Sequence, residues 1–223
     1  MAPAACPGNC LNGLEIFTGT YNQAWTLTGH ANGPRWNYVT TGSSWLKHVS
    51  PPAAMWFGDP ATGEFGGEGG EIGDGYLVYS GALTYIGPAI PIPTQDTLVF
   101  MSFWSWERTE ISLPTLECYQ QITCTFDARM VFISGTSPIH NNWQPVWNTQ
   151  KDFTIENQWH GVAIDLATYK GESIRVMFKF DTVDARNNDA GGVKPAGWFI
   201  DDVRFFSFTP SAKMYLPIVF KNR

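Results

Sequence analysis

Apolar and polar residues alternate at period two along much of the chain, the spacing of strands with one buried face. The clearest run is Ile174-Arg175-Val176-Met177-Phe178-Lys179-Phe180, in which Ile174, Val176, Phe178 and Phe180 share one apolar face while Arg175 and Lys179 occupy the other. One side of such a strand lines a core and the other meets water. The same pattern predicts strands over residues 14–18, 24–27, 76–79, 97–106, 129–134, 161–166, 173–181 and 198–208. No segment joins helical periodicity to helix caps, and neither an internal repeat nor a Ser/Pro linker divides residues 11 to 208. The stretches 58–75 and 181–197 are rich in glycine and longer than ordinary hairpin loops, which points to a function or to an ion holding them.

Composition agrees with an all-β chain. Charged residues and aromatics each make up 15%, with 22 Gly and 15 Pro among 223 residues, a balance that favours short strands joined by turns. This length suits one large β domain. A net charge of −6 without any Lys/Arg cluster excludes a nucleic-acid-binding surface. No apolar run approaches the ~20 residues of a membrane span. The cysteines form two close pairs, Cys6 with Cys10 and Cys118 with Cys124. Local disulfides are the simplest reading, because a zinc site would want CxxC-like spacing, and disulfides place the chain outside the cytoplasm. Met1-Ala2-Pro3-Ala4-Ala5 lacks the basic start and apolar middle of a signal peptide, so it reads as the start of a mature exported chain.

Four motifs follow one another in order: Ala54-Met55-Trp56-Phe57-Gly58-Asp59-Pro60; Leu98 through Phe103-Trp104-Ser105-Trp106 to Glu110; Asp127 ahead of Met130-Val131-Phe132-Ile133-Ser134; and Trp159 through Asp165-Leu166, Tyr169, Gly171 and Phe178-Lys179-Phe180-Asp181-Thr182 to Gly197-Trp198-Phe199-Ile200-Asp201-Asp202-Val203. Over about residues 13 to 208 this set resembles the MAM-like jelly-roll module found beside bacterial secreted peptidases of the immune inhibitor A type and in cleaved-adhesin domains. The resemblance implies an antiparallel two-sheet β-sandwich of jelly-roll type over 13–208. Residues 1–12 would form a disulfide-closed arm and 209–223 a tail or edge strand. It also implies an accessory or adhesive role, often with structural calcium. The segment 112–125, which carries the second cysteine pair, departs from the shorter hairpin usual in that family. The end of the chain, Tyr215-Leu216-Pro217-Ile218-Val219-Phe220, is similar to a short tail on many bacterial exported proteins, and Pro217 suits an edge strand.

Adjacent carboxylates in the apolar strand 197–203 need compensation, since a buried charge is costly unless hydrogen-bonded or metal-bound. Alternation puts Asp201 and Asp202 on opposite faces with at least one inward, an assignment that a bulge would reverse. Calcium takes six to eight oxygens, and Asp59, Glu110, Asp127, Asp181, Asp184, Asn188, Asp201 and Asp202 are the candidates. The metal reading has Glu110, Asp127 and Asp202 sharing an ion. In the alternative these acids accept backbone N–H groups or pair with Arg108, Arg129 or Arg204.

For catalysis, Gly-x-Ser-x-Gly and His-Glu-x-x-His are absent, and His30, His48, His140 and His160 sit in unrelated contexts. Glu107 with Glu110, or Asp201 with Asp202, leaves a glycoside hydrolase as a minor alternative. Of ten tryptophans, Trp36, Trp45, Trp143 and Trp147 lie in turn-rich surroundings and are the candidate ligand contacts, whereas Trp25, Trp56, Trp104, Trp106, Trp159 and Trp198 read as core. The expectation is an extracellular, non-catalytic recognition or adhesion module that binds a glycan or protein at a bacterial surface. The alternative is a structural subunit of a cell-surface assembly that self-associates through residues 214–220.

Overall fold

The computed structural model describes residues 14–17, 24–31, 33–40, 48–61, 63, 65, 80–95, 98–109, 127–148, 157–182 and 197–208. Among them run β1 (Leu14–Phe17), β2 (Trp25–Leu27), β3 (Arg35–Thr40), β4 (Ala53–Gly58), β5 (Ser80–Tyr85), β6 (Ile90–Pro91), β7 (Leu98–Arg108), β8 (Ala128–Ser134), β9 (Gln144–Asn148), β10 (His160–Asp165), β11 (Ser173–Asp181) and β12 (Gly197–Phe208). They form two antiparallel sheets of six strands. The first has the order β10-β7-β12-β4-β3, with β1 also on β12; the second has β2-β5-β11-β8-β9, with β6 also on β11. The chain is therefore all-β, as its alternation predicts, and folds as the antiparallel two-sheet jelly-roll sandwich that the resemblance implies.

Facing residues of the two sheets build the core. From the second sheet β11 turns Ile174, Val176, Phe178 and Phe180 inward, and from the first come Met55, Phe57, Met101, Phe103, Trp198 and Ile200. Rings meet across the gap, with Phe57 and Phe180 stacked at 4.7 Å and Phe103 edge-on to Phe178 at 5.1 Å. Burying a side chain of this size contributes roughly 1.5–3 kcal/mol, so these contacts are what joins the layers.

Two segments expected to be turn-rich are strands. β3 carries Trp36 inward, where its indole N–H donates to the Gly81 carbonyl at 3.1 Å and its ring packs 5.5 Å from Trp198. β9 carries Trp147 inward, parallel to Trp198 at 6.1 Å. Asn37 and Pro145 are turn formers by habit and broke the pattern. β4 is buried on both faces, so it shows no alternation to read.

The central strand β12 changes phase midway. Trp198 and Ile200 point into the core, and so do Val203 and Phe205, an odd step that needs one extra residue. The pairing with β7 slips between Asp201 and Arg204, and Asp202 has φ 50°, so the pair sits in a β-bulge. On the opposite edge of β12, β4 pairs with Trp198 to Ile200 and β1 with Val203 to Phe205. The bulge thus lies where that edge passes from one neighbour to the other.

At the start of β12, Gly197 has φ 111°, and a Cβ there would run into the carbonyl oxygen of Phe57. Gly197→Ala should cost about 3 kcal/mol, combining backbone strain with overpacking, read as a lower urea midpoint at unchanged m-value; an unchanged midpoint would refute this packing.

Candidate functional site

The strand's two carboxylates answer to one neighbouring segment, residues 48–50. Asp201 is fully buried; one oxygen accepts the backbone N–H groups of Val49 at 2.7 Å and Ser50 at 2.8 Å, and the other accepts the N–H of Asp202 at 2.8 Å. Asp202 accepts the Ser50 hydroxyl at 2.8 Å, and its second oxygen lies 3.4 Å from the Arg204 guanidinium. Burial pushes the Asp201 carboxyl up, against the pull of those N–H donors. The expectation of opposite faces is corrected here, because the bulge aims both acids at the same segment. Three oxygens of this pair accept N–H and hydroxyl groups, and the fourth, on Asp202, faces the Arg204 guanidinium. Asp127 is buried just ahead of β8, next to Ala128, which pairs with Asp181. Asp181 lies 3.0 Å from Lys179. Among the described residues no three His, Cys, Asp or Glu side chains converge as a metal site. Glu110 lies outside the described residues, as do Asp184 and Asn188.

Inside the sandwich a polar chain crosses between the sheets. The Trp198 indole N–H donates to the Ser105 hydroxyl at 2.9 Å, which donates to Glu107 at 2.8 Å. Glu107 is paired with Arg129 of β8, and His160 stands 3.6 Å from the same carboxyl oxygen. The Arg129 guanidinium also lies 5.8 Å from the Trp147 ring centre. Burial pushes the Glu107 carboxyl up; Arg129, His160 and Ser105 oppose it without cancelling it. Glu107 is wholly enclosed, and Glu110, its partner in the acid/base reading, lies outside the described residues.

A second polar cluster joins the loop after β8 to the start of β11. His140 Nδ1 lies 2.6 Å from one oxygen of Glu172 and 3.3 Å from the Ser137 hydroxyl. Its ring packs 4.5 Å from Tyr169. A Ser-His-Glu relay needs acid and nucleophile on opposite ring nitrogens; here both meet Nδ1, so the cluster is a loop clamp. Burial alone would raise Glu172, but the hydrogen bonds from His140 and from the Ser137 N–H and hydroxyl hold it below its ordinary value.

The outer face of the first sheet has two unlike halves. On one, Val39, Ala54, Trp56, Trp106 and Phe199 form a buried cluster, with Trp56 stacked on Phe199 at 5.6 Å. On the other, Trp104 is 38% exposed. Its neighbour on β10 is Gly161, where a Cβ would meet nothing within 4 Å among the described residues, which leaves the space beside the indole open there. Further along β7 the same face carries Ser102 and then Phe100, which stacks on Phe206 at 5.1 Å and on Phe208 at 5.6 Å. Arg204 pairs with Ser102 in register and Asp165 with Phe100.

Of the tryptophans expected to touch ligand, Trp36 and Trp147 are 2% and 5% exposed and present no free ring face, which corrects that reading. Trp143, ahead of β9, is 37% exposed. Trp45 lies outside the described residues, as do Cys6, Cys10, Cys118, Cys124 and the segment 214–220. Trp104, read as core, is the ring missed. The signal that could have found it is the small pair Gly161 and Ala163 at the polar positions of β10, which leaves the face beside β7 unfilled.

No family model matches the chain. Over 181 residues it is 24% identical to bacillopeptidase F of Bacillus subtilis (strain 168), covering 80% of this chain and 10% of that protein, so it spans about a tenth of that relative's length. Among solved structures it is similar to a xylan-binding domain from Paenibacillus barcinonensis, at 12% identity and a TM-score of 0.41, covering 89% of this chain and 99% of that one. It is also similar to the K3 cleaved adhesin domain of Lys-gingipain from Porphyromonas gingivalis w83, at 13% identity and a TM-score of 0.44, covering 86% and 99%. Identities this low leave the ligand to be read from this chain's own residues. Among the described residues no helix is long and apolar enough to cross a membrane.

The enclosed Glu107 and the part-exposed Glu172 make opposite contributions to pH dependence. A raised carboxyl binds its proton more tightly in the native state, so stability from Glu107 falls as pH rises from the ordinary value of about 4.3 towards the raised one. Glu172, lowered, contributes above that ordinary value and loses its contribution as pH falls through its native value. In urea melts, the stability difference between the native sequence and Glu107→Gln should shrink as pH rises, while that for Glu172→Gln should grow. A difference that grows with pH for Glu107→Gln would show that the Arg129 pair outweighs burial.

Proposed function

We propose that the chain is a non-catalytic recognition module of an exported protein, holding a carbohydrate on the open half of the first sheet's outer face. The observation that carries this is Trp104, an indole exposed on a rigid central strand with open space at Gly161 beside it. The CH groups of a pyranose ring stack on such a face, excluding water from apolar area on both partners. Ser102 and Arg204 lie next along the same face and supply hydrogen-bond partners for hydroxyls, with Asp165 further on beside Phe100. The scaffold beneath needs no movement to bind, since β7 is paired along both edges, to β10 and β12. An exported location rests on the two cysteine pairs as disulfides.

Titration against soluble β-1,4-linked xylan, glucan and mannan tests the reading. Trp104→Ala should weaken binding roughly tenfold, equivalent to about 1.4 kcal/mol, with little change in melting temperature because the ring is already part-exposed. Trp143→Ala should leave affinity as it was; the reverse ranking would move the site to the turn before β9. For the export part, thiol labelling of the denatured, unreduced chain should find no reactive cysteine, and four reactive thiols would contradict it.

A further inference from the structure

Resting on that reading, we infer that the ligand is the interior of a straight, extended polysaccharide lying along β7, rather than a chain end or a single sugar. Two apolar contact points share the open face. Trp104 is one, and the ring stack of Phe100, Phe206 and Phe208 is the other. Trp104 and Phe100 are four steps apart on one strand, about 13 Å at roughly 3.3 Å per residue. A single pyranose ring does not reach both.

Between the two points the surface is low and polar. Ser102 occupies the middle of β7, with Ala163 beside it on β10 and Arg204 on β12. Arg204 is about one-third exposed and lies 3.4 Å from the Asp202 carboxylate, so the bulge holds the cation in place beside the saddle. Within the stack Phe206 and Phe208 lie 6.4 Å apart with only 5° between their planes. Beyond it the apolar face continues through exposed Leu98, opposite Phe208.

Chain-end recognition uses a blocked pocket that reads a terminal group; among the described residues this strip is a ledge, bordered on its β10 side by Gly161 and Ala163 and then by Asp165 beside Phe100. Its chemistry fits a chain whose linkages keep it extended and whose CH faces recur along its length, with hydroxyls falling over Ser102 and Arg204. β-1,4-linked pyranosides with equatorial bonds have that form.

Calorimetry with xylo- and cello-oligosaccharides from disaccharide to hexasaccharide tests this. Affinity should rise about tenfold or more with length before it levels, because the second apolar point adds a contact of the same order as the first. Phe208→Ser and Phe100→Ser should flatten that rise, whereas Trp104→Ala should weaken binding at every length; Phe208 is nearly half exposed, so that variant keeps its fold. Binding that depends on Trp104 but not on length would overturn the extended-ligand inference and leave the carbohydrate reading standing. Absence of binding at every length would overturn the carbohydrate reading itself. Concentration-dependent dimerisation abolished by Phe208→Ser would show that the strip meets a second copy of the chain, and would overturn both.

Discussion

One inserted residue in β12 decides which face every later residue of that strand takes. Before the Asp201-Asp202 bulge the even positions Trp198 and Ile200 fill the core; after it the odd positions Val203 and Phe205 do. Side-chain direction has period two, so a strand without the bulge would turn Arg204, Phe206 and Phe208 inward and Val203 and Phe205 outward. The aromatic stack on the open face exists because of that shift. A bulge leaves ladder groups without strand partners, and this one falls where β4 gives way to β1. The two carboxylates supply the missing acceptors, taking the N–H groups of Val49 and Ser50 and the Ser50 hydroxyl. Two charges in an apolar strand are therefore the means by which residues 48–50 are tied to the sheet just before β4 begins.

The interior is held by a second polar arrangement of a different kind. Glu107 and Arg129 come from opposite sheets and meet inside the sandwich, braced by Ser105 and by the Trp198 indole behind it. Such a pair adds little net stability over an apolar equivalent, but losing one partner strands the other charge and costs about 3–5 kcal/mol. Its effect is to fix how the layers sit on each other. β7 contributes to both systems, with Ser105 and Glu107 facing in and Phe100, Ser102 and Trp104 facing out, so the open face rests on a strand whose inner side is fully occupied.

Much of this fold was legible in the sequence where one face is wet. β8, β10, β11 and the longer part of β7 alternate cleanly and lie where alternation predicts them. β4 was not legible as alternation because both its faces are covered, and β3 and β9 were obscured by Asn37 and Pro145. The site was harder to read for a related reason. Phe103, Trp104, Ser105 and Trp106 offer aromatic residues to both faces of β7, and nothing local says that Trp106 is covered while Trp104 is open. That difference is made by neighbours distant in sequence, Phe199 beside Trp106 and Gly161 beside Trp104. Likewise the phase of Phe206 and Phe208 depended on a bulge that the paired aspartates only hinted at. Trp36 and Trp147 were misplaced because a single indole beside turn residues looks the same whether its strand is inside or out.

The proposed recognition surface is set on paired strands, with Trp104 and Phe208 exposed and the charged clusters committed to structure. The indole N–H resonances of the tryptophans offer the most direct test of it. On adding a xylo- or cellohexaose to the isotopically labelled chain, the account predicts that the Trp104 indole shifts strongly, while those of Trp25, Trp36 and Trp198, whose N–H groups are bonded inside the sandwich, stay in place. A saturable shift at Trp143 with Trp104 unmoved would contradict it.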